Sequence, residues 1–256
     1  MASQRTLTFS GVFVLRYALA FGLLGALWQA ASLAAGPDLL PTPEATVRAF
    51  CASLTDPVFL GHAAASFMRL VVGLTVAAVP ALALGILLGH SRRADWLGAP
   101  VLFTTYPLPK IVLLPVFFLF LGLGDASRVA LIALTTGYQM LVIVRASAQS
   151  LNPVYAQAIG FMGATRLAKI RYVYLPAALP AFLTSLKVAT GTAVAVLFLA
   201  ESFATQSGLG YLIMDAWGIG DTLQMFNAIL AMSVLGLALY GAVWCLERLL
   251  CPWRHR

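Results

Sequence analysis

Six stretches of about twenty mostly apolar residues run through this 256-residue chain, near 12–34, 66–88, 98–122, 128–148, 181–201 and 225–247. A helix needs ~20 such residues to cross a hydrocarbon core ~30 Å thick. Composition closes the soluble alternative: 61% of residues are hydrophobic and 10% charged, against about 25% charged in an ordinary soluble domain. Such a chain could not cover its own surface with polar groups in water. A closed barrel would show alternating segments of ~10 residues, and none are present. The expected fold class is all-α integral membrane with six transmembrane helices.

The first span has some marks of a cleaved signal. Arg5 and Arg16 give a basic start, and Leu33-Ala34-Ala35-Gly36 offers small residues near its end. Its apolar stretch outruns the usual 7–15 residues and holds Trp28 and Gln29 late. Retention as a helix is the expectation.

Charge sets the orientation. With the amino terminus in the cytosol, Arg5, Arg92, Arg93, Arg166, Lys169, Arg171, Arg248, Arg254 and Arg256 lie inside. Arg16, Arg145 and Lys187 fall near inner helix ends, where long side chains can snorkel. Arg48 and Arg128 fall outside with Asp38, Glu44, Asp56, Asp125, Asp215 and Asp221, and Glu201 lies at the rim. This is a strong positive-inside pattern, so both termini are expected in the cytosol. The net charge of +7 then reflects topology, and no basic face for nucleic acid is expected.

Enzyme chemistry finds no footing. Cys51, Cys245 and Cys251 have no CxxC spacing, and His62, His90 and His255 are isolated. No catalytic triad, paired carboxylates or phosphate-cradling Gly-x-x-x-x-Gly-Lys loop appears. Metal and cofactor are both expected to be absent.

Two helices carry small-residue ridges: Ala18, Gly22, Ala26, Ala30 and Ala34 in the first, Gly73, Ala77, Ala81, Gly85 and Gly89 in the second. Such ridges let helices approach closely in lipid, through ordinary bundle packing or a dimer seam. The third span is interrupted by Pro100, Pro107, Pro109 and Pro115, each of which removes a backbone donor. Lys110 sits among them. A lysine facing lipid at mid-membrane costs about 2.5–3.5 kcal/mol, which directs it to the interior. It either contacts the solute path or bonds carbonyls freed by the prolines.

Between the fourth and fifth spans, residues 149–180 form a polar loop with internal order. Asn152-Pro153 reads as a helix cap and first turn. Val154, Tyr155, Ala158, Ile159 and Met162 then share a face by helical spacing. Gly163 ends the helix, and Thr165 caps a basic segment with Arg166, Lys169 and Arg171, ended by Leu175-Pro176. The loop is either an interfacial helix on the inner leaflet or a helix docked in a partner's groove.

Gln157-Ala158-Ile159, Gly163 and Val173-Tyr174-Leu175-Pro176 keep the spacing of the signature Glu-Ala-Ala, three residues, Gly, nine residues, Ile, any residue, Leu-Pro. In this the chain resembles permease subunits of binding-protein-dependent ABC importers. Gln stands for the usual Glu, so a salt bridge from that position is not carried over. The nitrate, sulfonate and taurine branch is similar in Pro41-Thr42-Pro43, Ser66-Phe67-Met68-Arg69, Pro109-Lys110, Leu114-Pro115, Gly122-Leu123-Gly124, Pro176-Ala177-Ala178-Leu179-Pro180, Ala200-Glu201-Ser202 and Gly208-Leu209-Gly210-Tyr211.

The resemblance implies a type I ABC importer permease-like bundle in a bacterial inner membrane. Residues 1–62 would form an N-terminal span and connecting segment, 63–250 the transmembrane domain and 251–256 a cytosolic tail. Implied partners are two cytosolic ABC ATPases, a solute-binding protein docking on outer loops that include 202–224, and a second permease chain. ATP hydrolysis would lie in the partner. Val154, Tyr155, Gln157, Ala158, Ile159, Met162, Gly163 and Arg166 become ATPase-coupling candidates. Pathway candidates are Tyr106, Lys110, Tyr138, Gln139 and Glu201. The branch suggests a small anion such as a sulfonate, taurine or nitrate, although similar members serve pyrimidine or thiamine precursors. A secondary transporter is the rival reading; it would usually show intramembrane carboxylates and an internal repeat.

Overall fold

The computed structural model describes residues 2–254, with side chains from Leu15 to Trp253. The side chains of Arg5, Arg254 and Arg256, expected inside, and of His255 lie outside the described residues. The chain forms α1 (Ala2–Ala35), α2 (Pro43–Ser53), α3 (Pro57–His90), α4 (Arg92–Thr105), a 3₁₀ turn (Lys110–Leu113), α5 (Leu114–Leu121) and α6 (Asp125–Gln149). There follow α7 (Pro153–Phe161), α8 (Arg166–Lys169), a π turn (Ile170–Tyr174), α9 (Leu175–Glu201), α10 (Leu209–Ile219) and α11 (Thr222–Leu250). No strand occurs among the described residues.

The backbone divides into two compact units, Met1–Leu60 with Leu212–Ala231, and Gly61–Tyr211 with Met232–Arg256. In the first, Thr42 caps α2 by accepting from Ala45 N–H, and Pro43 fills the first turn, where a missing N–H costs nothing. Trp28 Nε1 donates to Pro41 O at 3.0 Å, and its ring lies 6.1 Å from that of Phe226. The small residues of α1 are exposed, with nothing within 4 Å of a Cβ built on Gly22 or Gly25.

The second unit holds the core. The ridge on α3 is consumed in packing against α6. A Cβ on Gly73 would lie 2.7 Å from Ile132, and one on Gly85 2.7 Å from Val144. Gly89 likewise meets Ala148, and Gly137 of α6 faces Ala77. This is the ordinary bundle packing that small residues permit in lipid. Alpha 9 packs on the same core through Phe182, Leu183, Leu186, Ala189, Ala193 and Leu197.

Five helices are long and apolar enough to span a membrane, and α4 with the 110–121 segment makes a sixth if that pair, bent by 85°, crosses once. Ion pairs decide the matter. Asp125 opens α6 and pairs with Arg69, whereas Arg145 near its other end pairs with Asp95 in the first turn of α4. Residues 95 to 125 therefore run back along α6 from the level of Arg145 to Asp125, 20 residues or about 30 Å at 1.5 Å per residue. The bent pair is one crossing, at the position of the expected third span.

Not every proline breaks the third span. Pro100 lies inside α4 and Pro115 in the first turn of α5. The interruption falls at Pro107 and Pro109, between Thr105 and the 3₁₀ turn. Leu175-Pro176 also differs from expectation, because it does not end the basic helix. The chain runs from α8 through the π turn into α9, Leu175 N–H bonding Ile170 O. Pro176 is the second residue of α9, directly after the π turn.

Candidate functional site

Three polar regions of the second unit bear on function. The first is the loop after α6. Asn152 caps α7 by accepting from Val154 N–H at 3.0 Å, and Pro153 is the first helical residue. Gly163, at φ +82°, closes the helix. Gly163 N–H donates to Gly160 O at 3.0 Å and Ala164 N–H to Ile159 O at 3.1 Å. This paired closure needs a left-handed residue. Thr165 then caps α8 through Ala168 N–H. The caps read from sequence are thus in place.

No residue of α7 is buried. Tyr155, Ala158 and Ile159 line a cavity of about 560 Å³ with Tyr172, Val173, Pro176 and Trp253. Val154, Gln157, Gly163 and Arg166 are exposed elsewhere on the loop. The most exposed apolar groups cluster at the turn: Phe161 at 91%, Met162 at 85% and Leu167 at 74%. Phe161 was off the predicted helical face, and it is the side chain the sequence reading missed. Its signal was available, since an aromatic two residues before a helix-ending glycine projects at the turn.

The second region surrounds Lys110. Its Nζ bonds Thr105 O at 3.0 Å and also bonds Tyr106 O. Pro109 carries no N–H for Thr105 O, which otherwise takes a 3.3 Å bond from Leu108 N–H. The ammonium therefore caps the carbonyl end of α4, where a cation is favoured. It also lies 5.1 Å from the centroid of the Tyr106 ring and 4.5 Å from that of Tyr138. Tyr138 OH and Thr105 Oγ1 are 3.0 Å apart. Two of the three lysine N–H groups serve carbonyls, which leaves one for a further acceptor. Gln139, the next residue on α6, has a buried Oε1 with no hydrogen-bond partner among the described residues.

The third region is a buried ionic hub. Arg69 of α3 donates through Nε to Asp125 Oδ1 at 2.7 Å and through Nη1 to Glu201 Oε1 at 2.6 Å. It also reaches Ser207 O at 2.9 Å and Ser207 Oγ at 2.7 Å. Ser66 donates to the Glu201 carboxylate, 2.9 and 2.8 Å from its two oxygens. Gly210 N–H gives Glu201 Oε2 a further bond at 2.9 Å. Arg128 spends its donors on carbonyls of Leu123, Gly124, Ala200, Phe203 and Ala204. Glu201 is thus fully engaged, and the pathway candidates Tyr106, Lys110 and Tyr138 gather elsewhere. Sequence reasoning flagged Arg69 and Glu201 separately but did not join them. An arginine and a carboxylate each in an apolar span need partners, and that requirement could have paired them.

Near the other helix ends Arg145 and Lys187 pair with acids. Arg145 binds Asp95 in bidentate fashion, at 2.6 and 2.9 Å, with its guanidinium over the Phe103 ring. Lys187 meets Glu247 at 2.5 Å in a nearly dry pair. Each cation finds a carboxylate on another helix. Among the described residues no group of three or more His, Cys, Asp or Glu side chains could hold a metal ion.

Residues 81–250 match the family described as "Binding-protein-dependent transport system inner membrane component". The chain is 30% identical over 239 residues to the formylaminopyrimidine transport permease protein ThiX of Halalkalibacterium halodurans, covering 93% of this chain and 95% of that protein. It is 30% identical over 217 residues to the putative aliphatic sulfonates transport permease protein SsuC of Bacillus subtilis, covering 85% and 79%. The fold is similar to that of the MetNI methionine ABC transporter solved in inward-facing conformations, with TM-score 0.64 and 17% identity over 75% of this chain and 96% of that one.

Proposed function

Because this chain belongs to the family of binding-protein-dependent transport system inner membrane components, and is a permease of an ATP-driven importer, we propose that α7, Gly163 and α8 form its coupling element. The single observation that carries this is the apolar tip of Phe161, Met162 and Leu167, left without cover on a loop whose backbone is fully capped. Ordered loops rarely display such residues unless something binds them. A helix end of this shape suits a groove in a separate ATPase subunit. Val154, Tyr155, Gln157, Ala158, Ile159, Gly163 and Arg166 complete the coupling set, with Tyr155, Ala158 and Ile159 lining the adjoining cavity.

The assembly we infer has two ATPases, a second copy of this chain and a solute-binding protein contacting residues 202–224. Its place is a bacterial inner membrane with both termini cytosolic. Residues 63–250 are the transport domain, preceded by the 1–62 segment and followed by the 251–256 tail. Tyr106, Lys110, Tyr138 and Gln139 line the solute path, while Glu201 acts on it indirectly through the hub. The substrate class is a small anion of the sulfonate, taurine or nitrate type. The spare N–H of Lys110 and the likeness to a sulfonate permease support it. The likeness to a formylaminopyrimidine permease supports a neutral heterocycle as second reading, and labelled taurine against labelled pyrimidine in uptake assays separates the two.

The test of the coupling element is co-purification. A tag on this chain should recover its ATPase, and Phe161→Asp should abolish that recovery at equal membrane level. Full recovery with Phe161→Asp, and with Met162→Asp beside it, would remove the loop from the interface.

A further inference from the structure

The hub does more than bury charge, because it fixes the path of the chain after α9. His62, Ser66 and Arg69 lie on one stripe of α3, spaced by four and three residues. Each takes a different group of the segment that follows α9. Arg69 takes both oxygens of Ser207, His62 Nδ1 accepts Gly208 N–H at 3.1 Å, and Ser66 Oγ accepts Leu209 N–H at 2.8 Å. Glu201 then accepts Gly210 N–H. Four consecutive residues are thus held by side chains of α3 and α9. The first N–H groups of any helix need partners. Here Leu209 and Gly210, the first residues of α10, obtain them from Ser66 of α3 and Glu201 of α9.

Backbone geometry agrees. Ala204 has φ +50° and Gly208 φ +113°. A Cβ on Gly208 would enter the Glu201 carboxylate, and one on Gly210 would lie 2.7 Å from Glu201 Cβ. From the other side Arg128 grips the carbonyls of Ala200, Phe203 and Ala204. Surface connections are normally the mobile parts of a fold. Buried ion pairs return little net stability against an apolar replacement. What a network of this kind supplies is one defined geometry.

We propose that Ser66, Arg69 and Glu201 position the 202–208 segment and the root of α10 for the solute-binding protein. They make that surface move as one body with α3 and α6, so that docking is transmitted to the helices. The proposal rests on the reading of residues 202–224 as the binding-protein contact.

The test uses the whole importer in lipid nanodiscs, with the binding protein recovered by a tag on this chain as the probe. Arg69→Gln paired with Glu201→Gln removes the two buried charges together and leaves only the half-exposed Asp125 without its cation. Assembly and basal ATPase activity should stay within about twofold of wild type, while stimulation by the binding protein falls at least tenfold. Stimulation that returns to wild-type level along with assembly would make the hub a stability element only, and overturn the proposal. If the double variant fails to assemble, Asp125→Asn serves instead, since Asp125 is half exposed and bonds Arg69 through one oxygen. It should cut stimulation about threefold to tenfold at unchanged basal activity, with recovery in Asp125→Glu; unchanged stimulation would overturn the proposal. A photo-crosslinking amino acid in place of Gln206 separates the two layers. In the wild-type background it should capture the binding protein, and no capture would defeat the docking reading itself.

Discussion

The pair between Lys187 and Glu247 offers the sharpest test of the bundle. Lys187 lies on α9, about 21 Å along the helix from Glu201 at 1.5 Å per residue. Its Nζ is 2.5 Å from Glu247 Oε2, with the two side chains only 15% and 5% exposed. Glu247→Gln keeps the shape and leaves the ammonium without its counter-charge. Removing one partner of a buried pair costs about 3–5 kcal/mol. An isolated lysine in hydrocarbon costs about 2.5–3.5 kcal/mol on insertion scales. The two figures meet near ~3 kcal/mol. For a chain of this size each kcal/mol moves the melting temperature by about 2–4 °C, so Glu247→Gln should melt roughly 6–12 °C below wild type. Lys187→Met with Glu247→Leu removes both charges into apolar groups and should recover to within about 1 kcal/mol, because the loss comes from the stranded charge. Thermal unfolding of the purified importer, followed by size-exclusion after stepwise heating, measures all three. A Glu247→Gln melting temperature within 2 °C of wild type would refute the claim that the pair is dry. A double variant as unstable as the single one would assign the loss to local packing.

Lys110→Met should lower the melting temperature by several degrees through loss of the Thr105 and Tyr106 bonds, and should cut uptake per assembled complex at least tenfold. Wild-type uptake per complex would leave the lysine as a helix cap alone. Gly163→Val forces a β-branched residue to φ +82°, a strain of about 1–3 kcal/mol; with open space around that position, insertion should be normal and ATPase recovery lost. Equal recovery would mean that the loop tolerates another turn. Impermeant maleimide should label Arg93→Cys from the cytosolic side and Ala126→Cys from the opposite side, in a background without native cysteines; the reverse pattern would invert the topology.

How far the fold could be read in advance depended on the length scale of each signal. Spans are local: twenty apolar residues declare themselves, and helices occupy all six expected positions. Caps are local too, so Asn152, Thr165 and Gly163 were placed correctly from their neighbours. Prolines were harder. Pro107 and Pro109 break a helix, whereas Pro100, Pro115 and Pro176 do not. The difference lies in whether the lost donor falls in a first turn or can be made good by neighbours, and the latter is invisible in a window of sequence. The 36-residue helical run of 166–201 was divided for that reason.

The polar contacts were least legible, because each joins residues far apart along the chain. Lys187 and Arg145 looked like interface cations when judged by position alone. Both instead found acids on other helices, Glu247 and Asp95, that the charge count had placed in loops or left out of account. Ser66 and Arg69 were legible only as a short motif, and Glu201 as an acid at the rim and a candidate for the solute path. Yet the glycines of Gly208-Leu209-Gly210 acquire a reason once the three meet, since each must let backbone approach Glu201. A motif that spacing alone leaves unexplained thus marks where a distant side chain has to fit. In this chain the remote pairings run between residues that are unusual for their surroundings, a cation or carboxylate inside an apolar span. Matching such residues across spans by depth would have joined Arg69 to Glu201 and Lys187 to Glu247 before any coordinates, because in hydrocarbon an ion without a partner is the costlier arrangement.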